Sequence, residues 1–295
     1  MPHSNRQISA IIPVFERPDL TERAIESVLS QRVPRGFDLE LLIVDDGSSR
    51  ETRDRLIHAV RQDARGRLIT IPHCGMPGAV RNRGVEAAHG AILAFLDSDD
   101  TWEPEKLEHQ VSLHGDRGSV RISHTRERWI RNGREVSQAS QKHRRSGDLF
   151  ADSLRKCIIG PSTVMIDRAL FEAAGGFRED LEIAEDYELW LRVTVTERVG
   201  YVDRPLTRKF AGHGDQLSER YEGIEQFRIA ALQPLVESGA FLSARAADIR
   251  GTEAQLLAEE TLARKCRVYA AGARKRGRND EAERYEAIAD RWTTL

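Results

Sequence analysis

The chain has 295 residues, which is enough to bury a sizeable core in one large domain or two small ones. Its 45 basic and 47 acidic side chains give a formal net charge of −2, and so balanced a total does not indicate a nucleic-acid partner. The 3 cysteines lie far apart and show neither CxxC nor Cys/His ligand spacing, which argues against a disulfide framework or a zinc ribbon and favours a reducing compartment.

The first residues, MPHSNRQ, are polar and show no signal-peptide pattern. The apolar run that follows them, ISAIIPVF, is too short to span a bilayer. We therefore expect a soluble, cytoplasmic protein, and we leave open whether it docks peripherally on the inner face of the membrane.

Strands and helices alternate along the amino-terminal third of the chain. Apolar runs of strand length are followed by segments whose apolar residues recur at helical spacing, such as Leu20, Ala24 and Val28. Repeated βα units predict an α/β fold with a mostly parallel sheet flanked by helices, and ligands bind such sheets beyond the carboxyl ends of the strands. The predicted strands are Ile8–Phe15, Asp38–Ser49, Arg67–Pro72 and Ala91–Leu96, and a helix ending at Gly90 precedes the last of them.

The pattern changes after Trp102 to a mixture of helices and strands. Strands are predicted over Arg121–Ile130 and Pro161–Ile166, and a short helix over Arg168–Ala174. From about Ser218 onward the apolar residues recur at helical spacing, so we expect a helical carboxyl-terminal region.

A cluster of acids follows the predicted strand Ala91–Leu96. Asp97, Asp99 and Asp100 would repel one another, and at least one would keep its proton near neutral pH unless a cation neutralised them. Carboxylates two residues apart at a strand end can share a hard divalent cation brought by a substrate. The alternative is a turn and cap for the helix that begins at Pro104, but three acids exceed what a cap needs.

The same residues fit a second pattern. FLDSDDT matches the DxDxT loop of haloacid-dehalogenase-like phosphatases, in which the first aspartate attacks phosphorus. That motif normally ends the first strand of its fold, whereas three βα units precede it here, and no convincing downstream lysine with paired acids follows. We keep the phosphatase as the less favoured alternative.

Three further side chains near predicted strand or helix ends could bind a nucleotide. Phe15 could stack on a base, although a phenylalanine at a strand end more often belongs to the core. Asp46 could accept a hydrogen bond from a base or a ribose, or it could cap the next helix. Arg81, near the start of a helix in GAVRNRG, suits a phosphate but could equally lie on a solvated helix face.

Two later segments also carry candidates. Within EIAEDYELWLRV, Asp186 is predicted to share a helix face with Leu189 and Trp190, so that it turns inward and could act as a general base. An acidic first turn that favours the helix dipole accounts for Glu185 but poorly for an inward Asp186. His213 lies in a glycine-flanked loop and could be a metal or phosphate ligand, although a lone histidine usually is not.

Taken together and in this order, these residues resemble the family 2 glycosyltransferases, which are inverting enzymes of the GT-A fold. The resemblance spans roughly residues 7 to 220 and leaves the helical tail outside it. The segments that carry it are ISAIIPVFERPD, LELLIVDDGSS, GAVRNRG, GAILAFLDSDDTWEP and GGFREDLEIAEDYELWLRV.

The resemblance implies a nucleoside-diphosphate-sugar donor, usually UDP-linked, and Mn²⁺ or Mg²⁺ as cofactor. The acceptor would be a hydroxyl of a saccharide, a lipid-linked molecule or a protein, most commonly in polysaccharide biosynthesis. By position in the motifs, the resemblance assigns nucleotide-sugar binding to Pro13, Phe15, Arg17, Asp46, Arg81, Asp97 and Ser98, metal binding to Asp99, Asp97 and His213, and the role of catalytic base to Asp186.

The resemblance also divides the chain. Residues 1–217 would form the GT-A domain, with a nucleotide-sugar half (1–101) and an acceptor half (102–217), and residues 218–295 a helical region through which copies of the chain could associate. Two positions depart from the family pattern, because Phe15 stands where relatives often have tyrosine and Glu16 where a small polar residue is common. A non-catalytic nucleotide-sugar-binding protein of the same fold is the second alternative.

Overall fold

The computed structural model describes residues 6–114, 120–137, 145–212, 223–244 and 249–292. Within these residues, nine strands form one sheet, and ten α-helices lie against the sheet or follow it along the chain. The strands are β1 (Gln7–Val14), β2 (Asp38–Asp45), β3 (Gly66–Thr70), β4 (Ile92–Phe95), β5 (Thr101–Trp102), β6 (Ile122–Arg131), β7 (Arg134–Val136), β8 (Met165–Asp167) and β9 (Val199–Ala211). The helices are α1 (Pro18–Leu29), α2 (Arg50–Arg61), α3 (Pro77–Ala87), α4 (Lys106–Val111), α5 (Phe150–Arg155), α6 (Arg168–Ala173), α7 (Glu185–Thr194), α8 (Glu225–Glu237), α9 (Gly251–Lys275) and α10 (Asn279–Arg291).

The first half of the sheet is parallel, as the alternating pattern predicts. Its strands run in the order β3-β2-β1-β4, and each neighbouring pair is parallel. Strands buried on both faces read as continuous apolar runs, which is what the sequence shows for β1 and β2. Because these strands are parallel, their carboxyl ends meet on one edge of the sheet, which we call the rim.

The second half of the sheet is mixed, so the expectation of a mostly parallel sheet holds only as far as β4. Strand β8 is antiparallel to both β4 and β6, whereas β6 and β9 are parallel. The strand predicted over Pro161–Ile166 is only partly present, because Pro161–Thr163 forms a 3₁₀ turn and β8 begins at Met165. Within that turn Ser162 does not pair with a neighbouring strand. Its hydroxyl accepts the backbone N–H of Asp97 and donates to the carboxylate of Asp100.

Helix α7 lies between the sheet and the carboxyl-terminal helices. Its residues Leu189, Trp190 and Val193 belong to the apolar cluster against one face of the sheet. Tyr187 and Leu191, on its other side, belong to a cluster formed with α5 and with the last three helices. The carboxyl-terminal helices therefore pack directly on the helix that carries Asp186.

The helical tail is confirmed as a set of three helices, α8 to α10, in the described residues after 222. The predicted boundary after residue 217 lies outside the described residues, so the division of the chain into domains stays a prediction. In the portions of the chain that the structure covers, no helix combines the length and the apolar character needed to cross a membrane.

Candidate active site

The rim gathers most of the side chains that the sequence singles out. Strand β1 leads into Phe15, β2 into Asp46 and β4 into Asp97, and the registers of β1 with both neighbours place these ends side by side. Pro13 lies in β1 opposite Val44 of β2. His213 lies outside the described residues, so its assignment as a ligand stays a prediction.

The turn after β1 has an unusual backbone. Glu16 and Arg17 adopt left-handed φ angles of 54° and 64°, a region that residues other than glycine rarely occupy and that costs free energy. The turn is held by Glu16, whose backbone N–H donates to Ser48 Oγ (2.8 Å) and whose carboxylate accepts the backbone N–H of Ser49 (2.7 Å) and the hydroxyl of Thr52 (2.5 Å). The hydrogen bond from Thr52 lowers the pKa of Glu16. The unusual glutamate at position 16 therefore fastens the turn to the start of α2 through Ser49 and Thr52.

Phe15 is not a core residue, because 45% of its surface is exposed. Its ring stacks on that of His73, with centroids 4.0 Å apart and planes 25° from parallel. Two aromatic rings therefore lie together at the rim, where a planar base could add to the stack. His73 was not predicted from the sequence, although its position just beyond β3 places it on the same edge.

Asp46 organises the segment that follows β3. Its two carboxylate oxygens accept the backbone N–H groups of Cys74 (2.8 Å) and Gly75 (2.9 Å), and His73 Nδ1 lies 3.0 Å from the carboxylate. The alternative role of Asp46 as a cap of the next helix is not observed, since Ser49 is the residue that caps α2.

The acidic cluster is compact and carries its own counter-charges. Ligand oxygens of Asp97, Asp99 and Asp100 all lie within 4.8 Å of one another. Each acid has a basic partner, and these pairs are Arg17–Asp99 (3.4 Å), Arg81–Asp97 (2.6 Å) and Lys209–Asp100 (3.1 Å). These basic partners offset part of the repulsion that the sequence suggested, although the charges of Asp99 and Asp97 still raise the pKa of Asp100.

The three acids do not face the same way. Asp100 is 1% exposed and accepts hydrogen bonds from Ser162 Oγ (2.6 Å) and the backbone N–H of Phe210 (3.3 Å). Burial raises the pKa of Asp100 to about 7, although Lys209 opposes this shift. Asp97 is also held in a low-dielectric setting, but Arg81 and Lys209 outweigh burial and lower the pKa of Asp97. Asp100 is therefore an internal anchor of the cluster.

Asp97 and Asp99 are the members of the cluster that a bound ion could reach, because both remain partly exposed. Carboxylate oxygens are the ligands that Mg²⁺ and Mn²⁺ prefer, so the donor set fits a hard divalent cation. Ser98, between them, is buried.

Arg81 links the acidic cluster to α7. Its guanidinium is buried and donates to Asp97 Oδ1 and to Glu185 Oε1, both at 2.6 Å. Burial raises the pKa of Glu185 to about 7, with Arg81 acting in the opposite direction. Arg81 is thus not on a solvated helix face, and Glu185 does more than complement a helix dipole. No sequence pattern pointed to this pair, because 104 residues separate its members.

Asp186, next to Glu185, is less deeply buried than the sequence predicts. It is partly exposed, whereas Glu185 is only 6% exposed and pairs with Arg81. Ala184, which precedes α7, has a left-handed φ of 69°. Asp186 Oδ1 accepts the backbone N–H of Tyr187 (2.6 Å), and Oδ2 accepts the thiol of Cys157 (3.2 Å).

The chain is similar to several curated proteins that are named as glycosyltransferases. An uncharacterized glycosyltransferase of Rickettsia felis is 33% identical over 202 residues, covering 68% of this chain and 32% of that protein. The Escherichia coli protein WfgD, a UDP-Glc:alpha-D-GlcNAc-diphosphoundecaprenol beta-1,3-glucosyltransferase, is 30% identical over 198 residues, covering 66% of this chain and 73% of that protein. The chain matches only about a third of the length of the rickettsial relatives (32%, 33% and 28%).

Solved structures resemble the whole described fold. Staphylococcus aureus TarS 1–349 in complex with UDP has a TM-score of 0.67 at 20% identity, covering 92% of this chain and 74% of that one. The mannosyltransferase PcManGT from Pyrobaculum calidifontis, in complex with GDP-Man and Mn²⁺, has a TM-score of 0.62 at 18% identity, covering 98% of this chain and 76% of that one. The fold is GT-A.

A family model described as Glycosyl transferase family 2 matches residues 9–175, more than half of the chain. The chain belongs to glycosyl transferase family 2. This membership and the position of Asp97 after the fourth strand, not the first, argue against the phosphatase alternative.

Proposed function

We propose that the protein is an inverting glycosyltransferase that moves a sugar from a UDP-linked donor to a hydroxyl acceptor with the help of Mn²⁺ or Mg²⁺. The observation that carries the proposal is the pair of salt bridges made by Arg81. They connect Asp97, one of the two candidate metal ligands at the rim, with Glu185, the neighbour of Asp186 in α7. The complex of TarS with UDP, the Mn²⁺ complex of PcManGT and the UDP-Glc named for WfgD support the donor and the cofactor.

The donor nucleotide would bind at the ends of β1 and β2. The exposed ring of Phe15, stacked on His73, offers an aromatic surface to the base. Asp46 lies beside this pair as an acceptor for a base or ribose group, and Pro13 and Ser98 complete the proposed lining. Arg17, paired with Asp99, would lie close to the diphosphate.

Asp99 and Asp97 would hold the divalent ion, with His213 as a further proposed ligand. The ion would supply positive charge that stabilises the leaving diphosphate. Lys209 and Arg81 keep Asp97 ionised and in place, because both contact its carboxylate and lower its pKa.

Asp186 would take the proton from the acceptor hydroxyl. Its neighbour Glu185 is committed to Arg81, which leaves Asp186 as the acid at the start of α7 that an acceptor can reach. A single displacement by the activated hydroxyl inverts the anomeric configuration, whereas retention would require a second, nucleophilic carboxylate. The acceptor would be a saccharide, a lipid-linked molecule or a protein, and the diphosphoundecaprenol named for WfgD favours the lipid-linked class.

The test is the release of UDP from a panel of UDP-sugars with Mn²⁺ present. Asp186→Asn should lower kcat by about 10²–10⁴-fold, the usual contribution of a general base, and leave UDP affinity within about threefold of wild type. Asp180→Asn, which removes an exposed acid of the preceding loop, is the matched control. Equal losses of UDP affinity and turnover would remove Asp186 from the role of base.

The metal assignment is tested by the thermal stabilisation that UDP gives with and without Mn²⁺. Asp99→Ala should abolish the part that depends on Mn²⁺. Unchanged metal dependence in this variant would contradict the assignment. A protein that binds nucleotide sugars tightly but never turns any of them over would instead be the non-catalytic binding protein.

A further inference from the structure

A cysteine thiol contacts the proposed general base. Cys157, in the segment between α5 and the Pro161–Thr163 turn, has its Sγ 3.2 Å from Asp186 Oδ2. The carbonyl oxygen of Ile159 is the other acceptor within reach, at 3.4 Å. A thiol has one proton to donate, and the nearer, ionisable carboxylate is the stronger acceptor. Oδ1 of Asp186 meanwhile accepts the backbone N–H of Tyr187, so both oxygens of the carboxylate are held.

The thiol of Cys157 is suited to donate a hydrogen bond and not to act as a nucleophile. Burial, and then the negative charge of Asp186, raise the pKa of the Cys157 thiol well above its ordinary value. A thiol in this state keeps its proton at neutral pH, and it is the thiolate that acts as nucleophile.

The segment that carries Cys157 is fixed from two sides. Lys265 of α9 is 5% exposed, and its Nζ donates to the carbonyl oxygen of Arg155 (2.9 Å) while pairing with Glu225 of α8. The hydroxyl of Tyr187, in α7, donates to the carbonyl oxygen of Leu154 (2.9 Å). The end of α5, two residues before Cys157, is therefore attached both to the helix of the base and to the carboxyl-terminal helices.

We propose that Cys157 is a positioning residue, whose thiol orients the carboxylate of Asp186 toward the acceptor by a hydrogen bond to Oδ2. This inference rests on the proposed function, because it assigns Cys157 a role through the general base. The carboxyl-terminal helices then contribute to catalysis indirectly, because they hold the segment on which the thiol lies.

Two substitutions at position 157 separate this role from packing. Cys157→Ser keeps a donor, and Cys157→Val keeps an apolar side chain of similar size without a donor. The serine variant should retain kcat for UDP release within about threefold, whereas the valine variant should lose about tenfold or more, the effect of one lost hydrogen bond to a charged group, with KM for the UDP-sugar within twofold.

A packing role predicts the opposite order, because the partly buried thiol contacts two apolar clusters. The valine variant would then keep its activity, and the serine variant would unfold at a lower urea concentration. Wild-type kcat in the valine variant, or a loss expressed in KM alone, overturns the proposal.

A readout without turnover completes the test. The S–H stretching band of Cys157, identified in the infrared difference between wild type and Cys157→Ser, should lie at lower frequency in wild type than in Asp186→Ala. An identical band in both would show that the thiol donates to Ile159 instead and would overturn the proposal. Full turnover by Asp186→Asn would refute the proposed base, whereas an inactive Asp186→Asn beside a fully active Cys157→Val would refute only the role of Cys157.

Discussion

Among the described residues, Lys106 is the clearest case of a buried basic side chain without a hydrogen-bond acceptor. It is 0% exposed, and its Nζ lies 4.1 Å from the centroid of the Trp102 ring. Among the described residues Nζ finds no hydrogen-bond acceptor. Burial lowers the pKa of Lys106 well below its ordinary value of 10.5. This side chain therefore lowers the free energy of unfolding at any pH at which an exposed lysine would be protonated.

Replacing this amine by a methionine should stabilise the protein. In Lys106→Met the free energy of unfolding at pH 7 should rise by about 1 kcal/mol or more, because a buried group without a hydrogen bond is removed. This gain in the free energy of unfolding should grow as the pH falls below 10.5, because in the wild type the unfolded chain then binds a proton at Lys106 that the folded chain does not. It should level off below the depressed pKa, where both states are protonated.

Urea titrations at several pH values measure this gain. Lys275→Met, at an exposed position of α9, is the control and should change stability little at any pH. Destabilisation of Lys106→Met throughout would mean that the cation–π contact with Trp102 outweighs the cost of burial.

Arg81 shows the opposite situation, a buried cation with two acidic partners. Arg81→Met should lower the free energy of unfolding by about 3–5 kcal/mol, because it leaves Glu185 buried without its counter-charge and leaves Asp97 with only the longer contact to Lys209. Arg83→Met, two residues along the same helix, removes only exposed pairs and should cost about 1 kcal/mol or less. Urea denaturation of the two variants gives the comparison, and similar losses in both would contradict the central role of Arg81.

At the scale of elements, the parallel half of the sheet could be predicted because each strand is an apolar run that ends in a turn or an acid. The second half could not, since its strands pair across large separations, as Ile122 of β6 does with Val199 of β9. The turn at Pro161–Thr163 escaped prediction for a related reason, because the partner that draws Ser162 out of a strand is the distant Asp100.

The contribution of Glu16 to the start of α2 can be measured directly. Glu16→Ala removes acceptors for Ser49 and Thr52 and should lower the free energy of unfolding by about 1 kcal/mol. Because the folded pKa of Glu16 is depressed below 4.5, this stabilisation is present above that pH and should disappear as the pH falls through the depressed value. Glu51→Ala, an exposed acid in the first turn of α2, is the control in thermal unfolding. Equal effects of both would show that negative charge at this helix end, and not the hydrogen bonds of Glu16, provides the stabilisation.

At the scale of the whole molecule, α7 joins the catalytic sheet and the carboxyl-terminal helices into one body. The sequence predicted both parts but not their joint core, because the apolar pattern of α7 does not say which neighbour each side meets. The candidate site, likewise, could be predicted only in part from the sequence. Strand ends located Phe15, Asp46 and Asp97, whereas the pairing of Arg81 with Glu185 depends on contacts that only folding creates.

Lys265 gives a test of that joint body. Lys265→Met removes the link from α9 to the end of α5, so it should lower both stability and kcat for UDP release, while Lys275→Met leaves both unchanged. Combined calorimetry and UDP-release assays would show the correlation. A loss of stability with full kcat would mean that the carboxyl-terminal helices serve the fold alone.

The three basic side chains that match the three aspartates at the rim have a practical consequence. A protein in which each of these acids is paired with a basic side chain should tolerate chelators, and its melting temperature should be the same in EDTA as in buffer that contains Mn²⁺ but no nucleotide. A marked drop in EDTA would show that an ion belongs to the resting protein. If tolerance is found, the enzyme can be purified, stored and crystallised free of metal and then loaded at will, so that different ions can be compared on a single preparation.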